Sequence, residues 1–206
     1  MQILEEEEDN KRIILASSSP RRKKILEQLH LDFEIIKPVE AEERLFKNPY
    51  ETVSYNSLVK AKNIYNHAII SGLNYKNALI AGFDTIVYWR SRFFGKPLDI
   101  KMAMDFLTSL SGKSHRVISS VSVLDFHSGK YLSDSDITIV KFRKLDKVEI
   151  EKYLEIEYVL DKAGAYDISG FGSILIEKIN GCFYNVAGLP VNKFIGLLKK
   201  FNYKIL

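Results

Sequence analysis

The chain has 206 residues, 46% of them hydrophobic, and a formal net charge of +4, which suits one domain with a sizeable core; because the basic residues are spread along the sequence, we expect no nucleic-acid partner. The single cysteine, Cys182, excludes an internal disulfide framework and fits a reducing compartment. No apolar run has the length of a membrane span, and the acidic residues 5–9 stand where a signal peptide would be basic, so we expect a cytoplasmic protein with no membrane partner.

The chain divides into an acidic N-terminal extension, predicted over residues 1–12, and a single domain over residues 13–206. The domain opens with a short apolar strand at 13–16, which ends in three serines and Pro20. A helix is predicted at 21–29, because its apolar residues recur with helical spacing.

The turn between this strand and this helix has the features of an anion site. Pro20 suits the first helical position, and Ser19 suits the N-cap. The free N–H groups and the dipole of a helix N-terminus favour negative charge, and the guanidiniums of Arg21 and Arg22 suit phosphate oxygens. The pattern indicates a phosphate site; the alternative is a turn whose basic side chains face water.

The remaining elements mix strands with helices. In chain order the pattern predicts a strand at 33–36, a charged loop at 38–47, a helix at 50–71, a strand at 78–89, a basic aromatic turn at 90–94 and a helix after the N-cap Asp99. It then predicts a hairpin of strands 116–124 and 131–142, a helix with a capping box at Asp146 and Glu149, a glycine-rich loop at 163–172, a strand at 173–179 and a C-terminal helix after Pro190. This mixture indicates an α/β fold with a mixed sheet.

Asp84 interrupts the otherwise apolar strand at 78–89. A carboxylate in that position is costly unless it is paired, bound to a metal or used in chemistry. At a cleft it could orient a metal ion or deprotonate a water molecule. The alternative is a structural Asp that bonds loop amides or caps a neighbouring helix.

Three further charged residues are candidates, each with a plainer alternative. Lys96 stands on a stiff turn before a proline and could contact phosphate, and Lys62 could do so from the helix at 50–71, but such lysines often only face solvent. Glu42 could supply a second carboxylate for a divalent cation, or it belongs to a solvated acidic loop. The four histidines and Cys182 lack zinc-ligand spacing.

Several ordered motifs resemble those of the Maf family, the septum-formation-associated nucleotide pyrophosphatases. They are Leu-Ala-Ser-Ser-Ser-Pro-Arg-Arg at 15–22, Ala-Gly-Phe-Asp-Thr at 81–85, Gly-Lys-Pro at 95–97, Leu-Ser-Gly-Lys-Ser-His at 110–115, Asp-Lys-Ala-Gly-Ala-Tyr at 161–166, Asn-Gly at 180–181, Asn-Val at 185–186 and Gly-Leu-Pro at 188–190. The resemblance spans residues 13 to 200. It implies a Maf/ITPase-like α/β fold, with a curved mixed sheet flanked by helices and two lobes around an active-site cleft.

The resemblance also implies hydrolysis of dTTP, UTP or a modified nucleotide between its α- and β-phosphates, giving the monophosphate and pyrophosphate. It implies a divalent cation, Mg²⁺ or Mn²⁺, and a homodimer. By matching positions, Asp84 is the catalytic proton acceptor, and Glu42 and Asp84 belong to the metal site. The residues matched to phosphate contacts are Ser17, Arg21, Arg22, Lys62 and Lys96. Those matched to nucleotide choice are Arg21, Thr85 and Ser169.

Two departures from the family pattern bear on specificity. Phe83 stands where the family has Ala, and by strand alternation its ring should lie on the face opposite Asp84. Ser169 stands where the dTTP/UTP branch has Gln, and a hydroxyl offers a base edge less than an amide does. Other motifs still favour that branch. A rival prediction is a catalytically weak nucleotide-binding regulator of cell division.

Overall fold

The computed structural model describes residues 11–75 and 77–205, so residues 1–10 of the predicted acidic extension lie outside the described residues. Within this part the strands are β1 (Arg12–Ala16), β2 (Phe33–Ile35), β3 (Ala78–Trp89), β4 (Arg92–Phe94), β5 (Ser114–Asp125), β6 (Tyr131–Phe142) and β7 (Ile176–Asn180). The helices are α1 (Pro20–Gln28), α2 (Pro49–Ile70), α3 (Ile100–Leu110), α4 (Lys147–Ile156), α5 (Phe183–Val186) and α6 (Val191–Lys200).

The strands described form one mixed sheet in the order β2-β1-β3-β5-β6-β7, with β4 paired to β3. β1 is parallel to β2 and β3, and the remaining pairs are antiparallel. Alternate side chains of β3 pack against α2 on one face and against α1, α3, α4 and α6 on the other. The predicted α/β class, with a mixed sheet flanked by helices, is confirmed. Among the described residues, every helix is too short or too polar to cross a membrane.

Local sequence signals account for most of the element boundaries. Pro20 begins α1, and the Asp99 carboxylate caps α3 by accepting from the Met102 amide at 2.7 Å. Asp146 and Glu149 form the predicted capping box of α4. Ser19 is the N-cap of α1, but its side chain makes no capping hydrogen bond in the described structure.

Two predicted boundaries are wrong. The turn predicted at 90–94 is shorter, because Arg92–Phe94 pairs with β3 as β4 after a tight bend in which Arg90 and Ser91 take φ values of 46° and 61°. That bend contains no glycine or asparagine, so the sequence carries no hairpin signal there. The strand predicted from 173 starts at Ile176, because Gly170–Leu175 forms 3₁₀ turns.

The edge of β3 is shared by two strands that leave a gap between them. β1 pairs with β3 as far as Gly82, and β4 pairs with it from Val87 onwards. On that edge residues 83–86 therefore lie beyond the carboxyl end of β1, without a partner strand in the described chain. In open α/β sheets, ligands bind outside the carboxyl ends of strands, where neighbouring connections diverge.

Gly82 lets α2 approach β3 down to backbone contact. A Cβ atom at this position would lie 2.1 Å from the Ser57 carbonyl oxygen and 2.9 Å from the Ala61 nitrogen. Real Cβ atoms do not tolerate such distances, so glycine is required here by space rather than by backbone conformation. The contact fixes α2 over the second half of β3, where Asp84 lies.

We predict that Gly82→Ala lowers the free energy of unfolding by about 3 kcal/mol or more, because the new methyl group overpacks the α2–β3 contact. Gly196→Ala is the matched control, because Gly196 lies in α6 with open space at its Cβ position. This variant should have a free energy of unfolding about 0.5–1 kcal/mol higher than that of the unsubstituted protein. Urea unfolding followed by circular dichroism measures both. Equal stability of Gly82→Ala and the unsubstituted protein would contradict the close contact.

Candidate active site

A cleft of about 670 Å³ lies at the unpaired edge of β3. It is lined by Ala16, Ser17, Ser18, Ser19, Pro20, Arg22, Pro38, Glu40, Ala41, Glu43, Leu45, Asn56, Lys60, Asp84, Thr85, Ile86, Gly95, Lys96, Asp161 and Ala163. A cavity of about 910 Å³ lies at the other end of β1, between Lys11, Tyr131 and Lys200. The smaller cleft is the candidate site, because it contains residues from the predicted phosphate turn, the interrupted strand and the Lys96 turn.

The turn after β1 is folded around the hydroxyl of Ser17. This buried oxygen accepts hydrogen bonds from the Ser19 amide at 3.2 Å and from Nη1 of Arg22 at 3.1 Å. Because Ser19 does not cap α1 with its own side chain, the first amides of the helix are left for another acceptor. The turn therefore presents both helix N–H groups and a guanidinium to an anion.

Arg22 connects this turn to two distant segments. Its Nε donates to the carbonyl oxygen of Gly188 at 2.8 Å, and its Nη2 donates to Oγ1 of Thr85 at 3.3 Å. Burial lowers the pKa of Arg22 to about 10, and the negative charge of Asp84 opposes that shift. The guanidinium therefore stays charged at neutral pH, in a fixed orientation.

Phe83 supports Arg22 from the face of β3 opposite Asp84. Its ring is fully buried, edge-on to Phe194, with a centroid 5.7 Å from the guanidinium carbon of Arg22. This is the placement that strand alternation predicted. The ring adds a cation–π contact to the hydrogen bonds that fix Arg22.

The carboxylate of Asp84 is held by two side chains of α2. Nζ of Lys60 lies 2.7 Å from Oδ1, and Nδ2 of Asn56 donates to Oδ2 at 3.3 Å. Nζ of Lys60 also lies 3.1 Å from a carboxylate oxygen of Glu43, in the loop that covers α2. Asn56 and Lys60 are four residues apart, so they occupy one face of the helix. The predicted alternative is an Asp that bonds loop amides or caps a neighbouring helix, whereas the partners found here are side chains within α2.

Lys96 lines the cleft from the turn between β4 and α3 and remains exposed. The carbonyl oxygen of the preceding Gly95 accepts from the Gly164 amide at 3.0 Å, which ties this turn to the glycine-rich loop. A lysine on such an anchored turn can meet a phosphate as a point charge.

Four predicted site residues are absent from the cleft lining: Lys62, Glu42, Ser169 and Arg21, the last of which is matched to a phosphate contact. Lys62 is exposed and lies over the ring of Tyr131, with Nζ 4.7 Å from the centroid, because residues two apart on a helix face different directions. Glu42 is exposed with its carboxylate 3.6 Å from Arg44, and it is the next residue, Glu43, that turns toward Lys60.

The residues matched to nucleotide choice separate into two groups. Thr85 lines the cleft, where its hydroxyl contacts Ser119 at 2.9 Å as well as Arg22. Arg21 and Ser169 lie outside the cleft lining and meet at one carboxylate, that of Asp167: Arg21 lies 3.3 Å from one oxygen, and the hydroxyl of Ser169 donates to the other at 2.8 Å.

The carboxylates of the cleft are too few to bind a hard divalent cation alone, and they fit one only together with a bound phosphate group. Among residues 11–75 and 77–205, no three His, Cys, Asp or Glu side chains cluster as a metal site. Asp84 and Glu43 nevertheless approach one point, at which the ammonium of Lys60 stands. One or two carboxylates plus substrate phosphates are the usual ligands of Mg²⁺. The donor set is therefore suited to a cation that arrives with a phosphate group.

Comparison with known proteins identifies the family. The family model described as Maf-like protein matches residues 12–201. The chain belongs to the Maf family. The resemblance predicted from the sequence motifs is thereby confirmed.

Three curated relatives share the name dTTP/UTP pyrophosphatase. A dTTP/UTP pyrophosphatase of Clostridium tetani is 40% identical over 180 residues, which cover 86% of this chain and 91% of the relative. A dTTP/UTP pyrophosphatase of Syntrophomonas wolfei is 36% identical over 182 residues, which cover 88% of this chain and 93% of the relative. One of Clostridium botulinum (strain Okra) is 46% identical over 122 residues, 59% of this chain, and the match spans 63% of that relative's length.

Two solved structures are similar at 13% identity. A HAM1 protein from Coxiella burnetii has a TM-score of 0.45, with 93% of this chain and 96% of that chain covered. The Ham1 protein of Staphylococcus aureus has a TM-score of 0.49, with 93% and 98% covered.

Sequence reasoning missed Lys60, Asn56 and Glu43. The helical pattern contained a usable signal, because Val53, Ala61 and Ile64 form the buried stripe of α2, and Asn56 and Lys60 lie along that stripe. This stripe favours Lys60 over Lys62 as the lysine of α2 that reaches the site. For Glu43 there was no such signal, since the loop at 38–47 has no regular period.

The loop that contains Asp167 is anchored by a buried aromatic cluster. Nε2 of His115 lies 2.8 Å from the hydroxyl of Tyr166, and both rings make edge contacts with Phe142. Burial lowers the pKa of His115 to about 4 and raises that of Tyr166. His115 is therefore neutral in the folded protein at neutral pH.

We predict that His115 makes the protein less stable as the pH falls. An unfolded histidine binds a proton near pH 6.5 whereas the folded one binds it near pH 4, so stability is lost between these values on acidification. From pH 7 to pH 5.5 the unsubstituted protein should lose about 1 kcal/mol more than His115→Gln, measured by urea unfolding. Parallel losses in the two proteins would contradict the neutral buried histidine.

Proposed function

We propose that this chain is a nucleoside triphosphate pyrophosphatase that hydrolyses the bond between the α- and β-phosphates, giving a monophosphate and pyrophosphate. The observation that carries the proposal is the carboxylate of Asp84, fixed by Lys60 and Asn56 in a cleft that also contains Arg22 and Lys96. Relatives that cover most of this chain are named dTTP/UTP pyrophosphatase, which supports the same reaction here.

The cations of the cleft are suited to a triphosphate. The cleft lining combines Arg22 and the N-terminus of α1 with Lys60 of α2 and with Lys96 of the turn between β4 and α3. Arg22 is already fixed by hydrogen bonds to Ser17, Thr85 and Gly188, so its charge can stabilise the developing charge on phosphate oxygens without reorganising. We assign Ser17 to orienting Arg22, since its hydroxyl accepts from that guanidinium.

Asp84 is assigned as the acceptor of a proton from the attacking water. Each of its oxygens accepts one hydrogen bond from α2, and a carboxylate has about four acceptor positions, so it retains capacity for a water molecule. A general base must lie within hydrogen-bond distance of that water. We therefore assign the attacking water to a free acceptor position of Asp84, which lines the cleft.

A divalent cation, Mg²⁺ or Mn²⁺, is proposed as the cofactor, and Asp84 and Glu43 are the residues that would hold it. When bound, such an ion neutralises phosphate charge and lowers the pKa of water. The loop carboxylate assigned here is Glu43, in place of Glu42, because Glu43 faces Asp84 across Lys60. Binding requires the ammonium of Lys60 to leave that point, and a phosphate oxygen offers it another partner.

The base of the substrate is proposed as thymine or uracil, on the names of the relatives. Thr85 is the specificity residue that lines the cleft. Arg21 and Ser169 act through Asp167 in this proposal, because both bind its carboxylate. Action on modified nucleotides, the homodimer, the cytoplasmic location and the regulator of cell division stay predictions of the sequence.

We predict that pyrophosphate release from UTP or dTTP requires a divalent cation and falls at least about 100-fold in Asp84→Asn, because the proton acceptor is lost. Lys60→Met should raise KM and lower kcat/KM at least about tenfold, because one phosphate contact is lost. Lys62→Met is the matched control on the same helix and should stay within about twofold of the unsubstituted protein, since Lys62 lies off the cleft.

The measurement is a panel of nucleoside triphosphates with pyrophosphate detection, with and without Mg²⁺ or Mn²⁺. Absence of pyrophosphate from every nucleotide would refute the proposed function. A larger loss of kcat/KM in Lys62→Met than in Lys60→Met would refute the assignment of Lys60 and support Lys62, the lysine predicted from the sequence.

A further inference from the structure

Two asparagines of α2 hold the loop at 38–47 by its backbone. Oδ1 of Asn56 accepts from the Arg44 amide at 2.8 Å. Oδ1 of Asn63 accepts from the Val39 amide at 3.0 Å, and its Nδ2 donates to the Val39 carbonyl at 2.7 Å. The two side chains are seven residues apart, about two helical turns, and therefore lie on one face of α2.

Asn56 differs from Asn63 in what its second amide atom binds. A backbone N–H can only donate, so the Arg44 amide fixes Oδ1 on the loop side and turns Nδ2 toward Asp84. The side chain is only 4% exposed, so neither contact is easily replaced by solvent. One neutral amide thus connects a loop backbone with the carboxylate assigned as proton acceptor.

Asn56 and Lys60 make parallel bridges between the same two segments. Lys60 joins one oxygen of Asp84 to the side chain of Glu43, and Asn56 joins the other oxygen to the backbone of the next residue, Arg44. The Lys60 bridge depends on charge, so an incoming phosphate competes for it. The Asn56 side chain carries no net charge, so an incoming phosphate attracts it less than it attracts the ammonium of Lys60.

We propose that Asn56 is a positioning residue: it keeps Asp84 and the loop at 43–44 in register while Lys60 changes partner from carboxylate to phosphate. This inference rests on the proposed function, because it assigns Asn56 a part in the same reaction. It extends that function because Asn56 positions Asp84 and the loop, whereas the charged side chains of the cleft contact the phosphates.

Three variants test the proposal. Asn56→Leu has similar volume and loses both hydrogen bonds, whereas Asn56→Asp keeps an acceptor for the Arg44 amide and loses the donor to Asp84. Asn63→Leu is the matched control, because it releases the loop at Val39 without a contact to Asp84. Each is assayed for kcat and KM with the nucleotide that the panel selects, and for amide hydrogen exchange in the loop without nucleotide or metal.

We expect kcat to fall about 10- to 100-fold in both Asn56 variants, with KM changed less than about threefold, as for loss of a hydrogen bond to a charged group. The Arg44 amide should exchange faster in Asn56→Leu and stay protected in Asn56→Asp. Asn63→Leu should keep kcat within about twofold while the Val39 amide exchanges faster.

The outcomes separate this inference from the proposed function. A kcat within about twofold of the unsubstituted protein in both Asn56 variants would overturn the positioning role. So would an equal loss of kcat in Asn63→Leu, because loop anchoring alone would then explain it. Failure of the proposed function has a different signature: the unsubstituted protein itself would release no pyrophosphate. Thermal unfolding of each variant checks that it is folded, and the near-isosteric Asn56→Asp decides if Asn56→Leu does not fold.

Discussion

Helix α2 and strand β3 meet through their backbones at Gly82, where a single methyl group would collide with the Ser57 carbonyl. Asp84 follows two residues later on the same face of the strand. At this separation the short side chain of Asn56 and the extended one of Lys60 both end at the carboxylate. The geometry of the candidate active site is therefore a consequence of how closely two elements pack. A larger residue at 82 would move both donors away from Asp84 together.

The gap on the edge of β3 explains why the polar residues of this strand are adjacent. Neighbouring residues on a strand face opposite sides, so Asp84 faces α2 while Thr85 faces Arg22 and Gly188. Where β1 has ended and β4 has not begun, both sides are accessible from one cleft. Two consecutive polar residues of a buried strand thus contact opposite walls of one cleft, Asp84 the wall formed by α2 and Thr85 the wall that contains Arg22.

Local signals were enough to predict most elements and part of the site. N-caps such as Asp99 and the apolar run of β3 act over a few residues, and Asp84 is conspicuous because its neighbours are apolar. The choice between Lys60 and Lys62, and between Glu42 and Glu43, depends on which face packs against a distant segment. The β4 hairpin escaped prediction because Arg90 and Ser91 adopt a conformation that their types rarely favour.

The hydrogen bond from Arg22 to Gly188 joins residues 166 positions apart in the chain. Contacts of such long sequence separation form late, since the intervening chain must be ordered first. The turn after β1 and the acceptor that orients its guanidinium therefore belong to parts of the chain that must each fold before the contact can form. Arg22 therefore reaches its final orientation at the candidate site only after the segment that contains Gly188 has packed beside β3.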